Sequence, residues 1–140
     1  MGLLPIAIIL SVALRQTSSV IIMARQELTS KLVRSKCQPE TGVSTEAIEG
    51  VPEGKFPDDR NLKCYMKCAM TMTLTMRDGK LRTDIALSMA EKLSADIKDR
   101  VIAAIQKCSS ADDGLTDPCE VAFTATKCIH DADSEILFFP

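Results

Sequence analysis

A chain of 140 residues, 46% hydrophobic and 26% charged, amounts to one domain, with too little length for two independent cores. Seventeen basic against nineteen acidic residues leave a formal net charge of −2, and the basic ones are scattered singly, which argues against a nucleic-acid partner. One histidine in the whole chain speaks against Ser-His-Asp, Cys-His and His-rich zinc chemistry.

Leu3 to Leu14 is a run of twelve uncharged, mostly aliphatic residues. A bilayer span needs about 20 apolar residues, so the run reads as the hydrophobic stretch of a signal peptide rather than an anchor. The expectation is a signal over residues 1–19 and a domain over 20–140. Cleavage falls after Ser19, with Thr17 at the −3 place, or as late as Ala24. A buried N-terminal helix is the less favoured reading of the same residues. No later run reaches spanning length, so the chain reads as secreted and extracellular, without stable membrane insertion.

The remainder is almost wholly helical in pattern. Leu28 and Leu32, with Val33 and Cys37, lie at i, i+4 spacings and give a first helix over roughly 23–37, which Pro39 then stops. Ser44 caps a short second helix through Ile48, ended by Gly50 and Pro52. Pro57-Asp58 opens a third, carrying Leu62, Cys64, Tyr65 and Cys68. From Met70 to Met76 apolar residues and threonines alternate strictly, the strand period. A strand needs a partner and no other segment reads as one, so the stretch is taken as the end of the third helix passing into a loop that Gly79 turns. Ile85, Met89 and Leu93 form a fourth stripe, and Ile97, Val101, Ile105 and Cys108 a fifth. Asp117-Pro118 opens the sixth helix, an acceptor at the cap followed by proline at the first helical position, running to about Asp131.

Six cysteines, Cys37, Cys64, Cys68, Cys108, Cys119 and Cys128, stand outside the signal segment. In a small secreted domain their even number argues for three disulfides. Zinc is the weaker reading, because only Cys64 and Cys68 are close enough to seed a site. Six cysteines allow fifteen pairings. Cys64 and Cys68 point alongside each other one turn apart, and Cys119 and Cys128 lie about 13 Å apart on opposite faces of one helix. Excluding both pairs leaves ten pairings, in each of which the third and sixth helices bond outward to other elements.

The spacing Cys37-x26-Cys64-x3-Cys68-x39-Cys108-x10-Cys119-x8-Cys128 resembles that of the insect odorant-binding proteins, the pheromone and general odorant-binding family. Cys64-Tyr65-x-Lys67-Cys68, Cys119-Glu120, Lys127-Cys128 and the ending Phe138-Phe139-Pro140 support the resemblance, which covers essentially all of the chain beyond the signal. It implies an all-α fold, a six-helix disulfide-linked bundle around an internal apolar cavity, paired Cys37–Cys68, Cys64–Cys119 and Cys108–Cys128. It also implies that the tail, residues 134–140, folds back over the pocket.

For the ligand site the resemblance carries over Val33, Met70 and Leu81 as apolar wall. It places Thr75 where alcohol-binding members of the family offer a hydroxyl, with Thr71 and Thr73 as weaker choices; each hydroxyl can instead bond its own helix carbonyl. Periodicity adds Met89, Leu93, Ile105 and Phe123, and the apolar tail adds Phe138 and Phe139. Five methionines between Met66 and Met89 suit a pocket that accepts varied shapes. His130, just past Cys128, reads as a surface residue, with a pH-sensitive release as the bolder alternative.

The function expected is a secreted carrier of small hydrophobic ligands, odorants or pheromones such as alcohols, esters and aldehydes, delivered to receptors from the sensillar lymph. A carrier of a lipid, amine or other semiochemical outside smell is the second reading. No catalytic group, cofactor or metal is expected, and the chain should be a monomer or a weak homodimer. A secreted hydrolase would want a histidine-carboxylate pair and a calcium loop, which nothing around His130 supplies.

Overall fold

The computed structural model describes the backbone from Ile6 to Pro140 and side-chain surroundings from Ala24 onward. The apolar stretch read as a signal, and its cleavage region, therefore lie outside the residues whose side chains are described. Among the described residues six helices follow one another: α1 (Ile6–Thr41), α2 (Thr45–Gly50), α3 (Arg60–Met72), α4 (Thr83–Ala90), α5 (Ala95–Lys107) and α6 (Pro118–Ala132). A two-stranded antiparallel ribbon, β1 (Met76–Arg77) and β2 (Lys80–Leu81), lies between α3 and α4.

Cap residues fix the starts of α2, α3 and α6. The Ser44 side chain accepts from the Ala47 N–H, Asp59 from Asn61 and Asp117 from Cys119, each satisfying a donor that a helix start leaves unpaired. Asp59, one residue beyond the Pro57-Asp58 pair, is thus the cap of α3. Pro39 does not stop α1, which continues two residues further to Thr41. The proline is exposed, as is Ser35, whose carbonyl loses the bond a proline cannot donate and is left to water. The Thr41 hydroxyl and the Gly42 N–H close the last turn onto the carbonyls of Cys37 and Gln38. Gly42, at φ +71°, then ends it.

α3 ends at Met72, inside the stretch read as helix end and ordered loop, and the ribbon corrects the loop part alone. Met76 pairs with Leu81 and Arg77 with Lys80 across Asp78-Gly79, both at positive φ (+50° and +75°). That is the tight turn whose twist suits a hairpin, and Asp-Gly is its preferred sequence. The partner strand was too short to leave a period of its own.

α3 and α6 form the central pair, α1 packs on α3, and α4 with α5 makes a second pair that meets α6. Cys37–Cys68 ties α1 to α3, Cys64–Cys119 ties α3 to α6, and Cys108–Cys128 ties the end of α5 to α6. These are the three pairs implied by the resemblance. Lys63 adds a polar tie, its ammonium donating to Asp58 and, at 2.8 Å, to Glu120 in the first turn of α6. The densest core lies off centre: Val33, Ile48, Val51, Leu62, Tyr65, Met66, Met76 and Val121 are all almost wholly buried. By contrast Ile85, Ile97, Val101 and Ile105 on α4 and α5 are only half-buried. Met89 on α4 borders a space that α3, α6 and the tail enclose with it.

Candidate ligand-binding site

That space is a cavity of about 300 Å³, within the range of small-molecule sites. α3 contributes Met66, Ala69 and Met70, the chain after it Thr73 and Thr75, and α4 Met89. α6 contributes Ala125, Thr126 and Ile129, and the tail closes the ring with Leu137, Phe138, Phe139 and Pro140. None of these side chains carries a charge. Met89 and Phe138 are each 46% exposed, which locates the mouth between α4 and the tail. A smaller lobe of about 170 Å³ shares Met70, Thr75, Ala125 and Ile129 with the first and runs on toward Leu81, Ala86 and Ile105. Arg82 borders this lobe, but its guanidinium is held by both carboxylate oxygens of Asp84, at 3.0 and 2.7 Å.

The polar corner of the cavity is built by the way α3 ends. The Thr75 N–H bonds the Met70 carbonyl and the Leu74 N–H the Thr71 carbonyl, at 3.0 and 3.2 Å. This is the Schellman arrangement, in which one residue takes the left-handed conformation and reverses the chain. Here that residue is Leu74, at φ +64°, where glycine is the usual choice. The reversal brings the hydroxyls of Thr73 and Thr75 to 3.1 Å from each other on the cavity wall. The Thr71 hydroxyl instead bonds the Lys67 carbonyl at 2.8 Å on the solvent side.

The tail is held at both ends. Arg100 on α5 donates to Asp133 at 2.7 and 2.8 Å and to Glu135 at 2.8 Å. The guanidinium draws the Asp133 carboxyl below its ordinary value. At the far end the buried Tyr65 hydroxyl donates to the Pro140 oxygen at 2.7 Å, and its ring meets Phe139 edge-on at 5.9 Å. Burial pushes the phenol pKa up, so this group remains a donor throughout the neutral range.

Among the residues read from sequence, Met70, Thr75, Leu81, Met89, Ile105, Phe138 and Phe139 line one lobe or both. Three others lie elsewhere. Val33 is 1% exposed inside the packed core. Leu93 falls past the end of α4 in an exposed turn, because the helix that would have carried the stripe stops at Ala90. Phe123 is on another face of α6, edge-on to Phe56 at 5.8 Å, with the Lys63 ammonium 4.9 Å from its ring centre. His130 is not a free surface residue either: its ring packs on Phe56 at 5.3 Å. Ala69, Ala125, Thr126 and Ile129 were missed. The i, i+4 pair Ala125 and Ile129 was the available signal.

Residues 21–132 match the PBP/GOBP family. General odorant-binding protein 72 of Anopheles gambiae is 29% identical over 113 residues, 80% of this chain and 93% of that protein. The crystal structure of odorant binding protein 4 from Chrysopa pallens is similar at 32% identity and a TM-score of 0.75, covering 84% of this chain and 97% of that one. Apis mellifera odorant binding protein 5, at 24% identity, shares the fold with a TM-score of 0.77 over 84% of this chain and 96% of its own. A family whose members are carriers of hydrophobic ligands and not enzymes thus accounts for the helices, the three disulfides and the apolar cavity alike. The chain belongs to the PBP/GOBP family of odorant-binding proteins.

Proposed function

We propose that this protein is an extracellular carrier of odorants or pheromones, compounds such as alcohols, esters and aldehydes, that it hands to receptors. The observation that carries this reading is the larger lobe of the cavity, an uncharged space of about 300 Å³ between α3, α4, α6 and the tail. Burial of apolar ligand surface there supplies the affinity at roughly 25 cal/mol per Å². The thioethers of Met66, Met70 and Met89 let the wall adjust to different shapes. Residues 134–140 act as the lid of this space. Residues 1–19 act as a secretion signal, a reading supported by a family match that starts at residue 21. Among the described residues no helix is long and apolar enough to cross a membrane.

The test is displacement of N-phenyl-1-naphthylamine, a fluorescent apolar probe, from residues 20–140 by a panel of alcohols, esters, aldehydes and fatty acids. Probe uptake at micromolar protein, followed by displacement by some of the panel, is the expected result. No uptake would overturn the carrier reading.

A further inference from the structure

We propose that the two lobes of the cavity work as one channel, so that the site favours long unbranched chains over compact molecules of the same carbon count, and that Ala86 in the smaller lobe and Ala125 at the junction set the length it accepts. The inference rests on the carrier reading and deepens it, because it names the shape of ligand that the same cavity takes.

The lobes have a common border. Met70 and Thr75, from the end of α3 and the chain after it, and Ala125 and Ile129 on α6 each line both. Ala125 presents only a methyl group there. Met70 is half-buried and carries an unbranched thioether that can turn aside. A flexible chain can thread such a border with one end in each lobe, whereas a rigid ring has to stay on one side. Beyond the border, Leu81, Ala86 and Ile105 supply hydrocarbon for a chain to cover. Arg82 and Thr83 are the polar residues that the smaller lobe adds, and the Arg82 guanidinium is engaged by Asp84. Ala86, half-buried on α4, lines the smaller lobe and not the larger, so a bigger side chain at that position takes up space in the smaller lobe alone.

The two volumes say where one lobe ceases to suffice. At the ~30 Å³ that a water molecule takes in the liquid, the larger lobe of about 300 Å³ holds about ten non-hydrogen atoms and the smaller, of about 170 Å³, about five more. 1-Octanol thus fits the larger lobe alone, and 1-dodecanol exceeds it. Each further methylene that leaves water for an apolar wall raises affinity about threefold to fourfold. The larger lobe by itself would stop returning this gain soon after octanol, and the two lobes together extend it to dodecanol. Cyclododecanol has the same carbon count in a ring and gains nothing from the smaller lobe.

The experiment measures the dissociation constants of 1-octanol, 1-decanol, 1-dodecanol and cyclododecanol by displacement of N-phenyl-1-naphthylamine from the wild type and from Ala86→Leu, Ala86→Phe and Ala125→Leu. Ratios between ligands within one protein, taken relative to the wild type, cancel their different partitioning out of water. In the wild type affinity should climb about thirtyfold or more from octanol to dodecanol. Ala86→Phe, whose ring fills the smaller lobe, should hold octanol and cyclododecanol within about twofold of the wild type and lower the dodecanol-to-octanol ratio about tenfold. Ala86→Leu should lower that ratio by less, and Ala125→Leu should lower it by narrowing the junction. A wild-type gain that stops at octanol, a ratio that the variants leave unchanged, or an equal loss of dodecanol and cyclododecanol in Ala86→Phe overturns the proposal, while octanol binding keeps the carrier reading in place. Should Ala86→Phe or Ala125→Leu fail to fold, Ala86→Leu and the wild-type series decide alone. Failure of the wild type to take up the probe overturns both readings.

Discussion

Leu74 has two features that a soluble protein normally avoids at one position. It is a branched, apolar residue in the left-handed region at φ +64°, and it is 69% exposed. A left-handed conformation costs an L-residue about 1–2 kcal/mol, whereas glycine adopts it freely. Glycine gives part of this back through the greater freedom of the unfolded chain. Leu74→Gly should therefore raise stability by about 0.5–1 kcal/mol in urea unfolding, with 1-octanol affinity unchanged because the chain reversal is kept. A loss of stability would mean that the leucine side chain makes contacts that outweigh its backbone strain. The neighbouring threonines show what a residue-level reading can and cannot deliver. Thr75 was identifiable through the family resemblance, which singles out its place after the third helix. Its pairing with Thr73 was not, since it depends on one left-handed residue whose identity, leucine, does not signal such a turn.

At the scale of elements, caps were the most legible feature. Ser44 and Asp117-Pro118 announce their helices because they solve a local problem, unpaired N–H groups at a helix start. What periodicity reports is narrower. It marks the inward face of a helix without distinguishing a tightly packed face from one that borders a void. Met89 and Phe123 both follow from periodicity, yet one lines the cavity and the other packs on Phe56. Ala69, a small residue that makes room, leaves no stripe at all, and Ala125 leaves only its i, i+4 pairing with Ile129.

Charge ties between elements give a prediction of a different kind. Arg100 holds Asp133 and Glu135, joining α5 to the base of the tail, and it keeps the Asp133 carboxyl below its ordinary value of about 3.8. A carboxylate whose pKa is lowered by folding contributes stability above its unfolded value and loses it as pH falls through the folded one. The contribution should thus be complete at pH 6 and fade below about pH 3.8. Comparing the Tm of the wild type with that of Arg100→Ala across pH 6 to pH 2.5 checks this. The variant should melt lower at pH 6 and converge on the wild type at the acid end. A constant gap would assign the arginine's effect to packing of its aliphatic stem instead.

For the molecule as a whole, the question is how a short chain keeps an apolar space open. The side chains around a cavity of about 300 Å³ lack partner atoms on that side and forfeit the contacts of a packed core. Three disulfides at about 2–4 kcal/mol each offset part of such a loss. They tie α3 and α6, which carry most of the wall, to each other and to α1 and α5. α4 and the tail have no such tie. The tail is fastened instead by Arg100 at its base and by the Tyr65 hydroxyl at Pro140. Tyr65→Phe removes that single hydrogen bond and retains the ring against Phe139, so its cost to global stability should be only about 1 kcal/mol. Its effect on a ligand should be larger in proportion, because the freed segment is the part of the wall that can move without unfolding a helix. Affinity for 1-octanol should fall severalfold and its release should quicken. Deleting residues 136–140 should weaken binding at least as far. If Tyr65→Phe lowers stability with octanol affinity and release both unchanged, and the deletion likewise leaves binding intact, the tail is ordinary core cover and the cavity opens elsewhere. If both variants weaken binding in that order, the lid is the tail and Tyr65 is its latch.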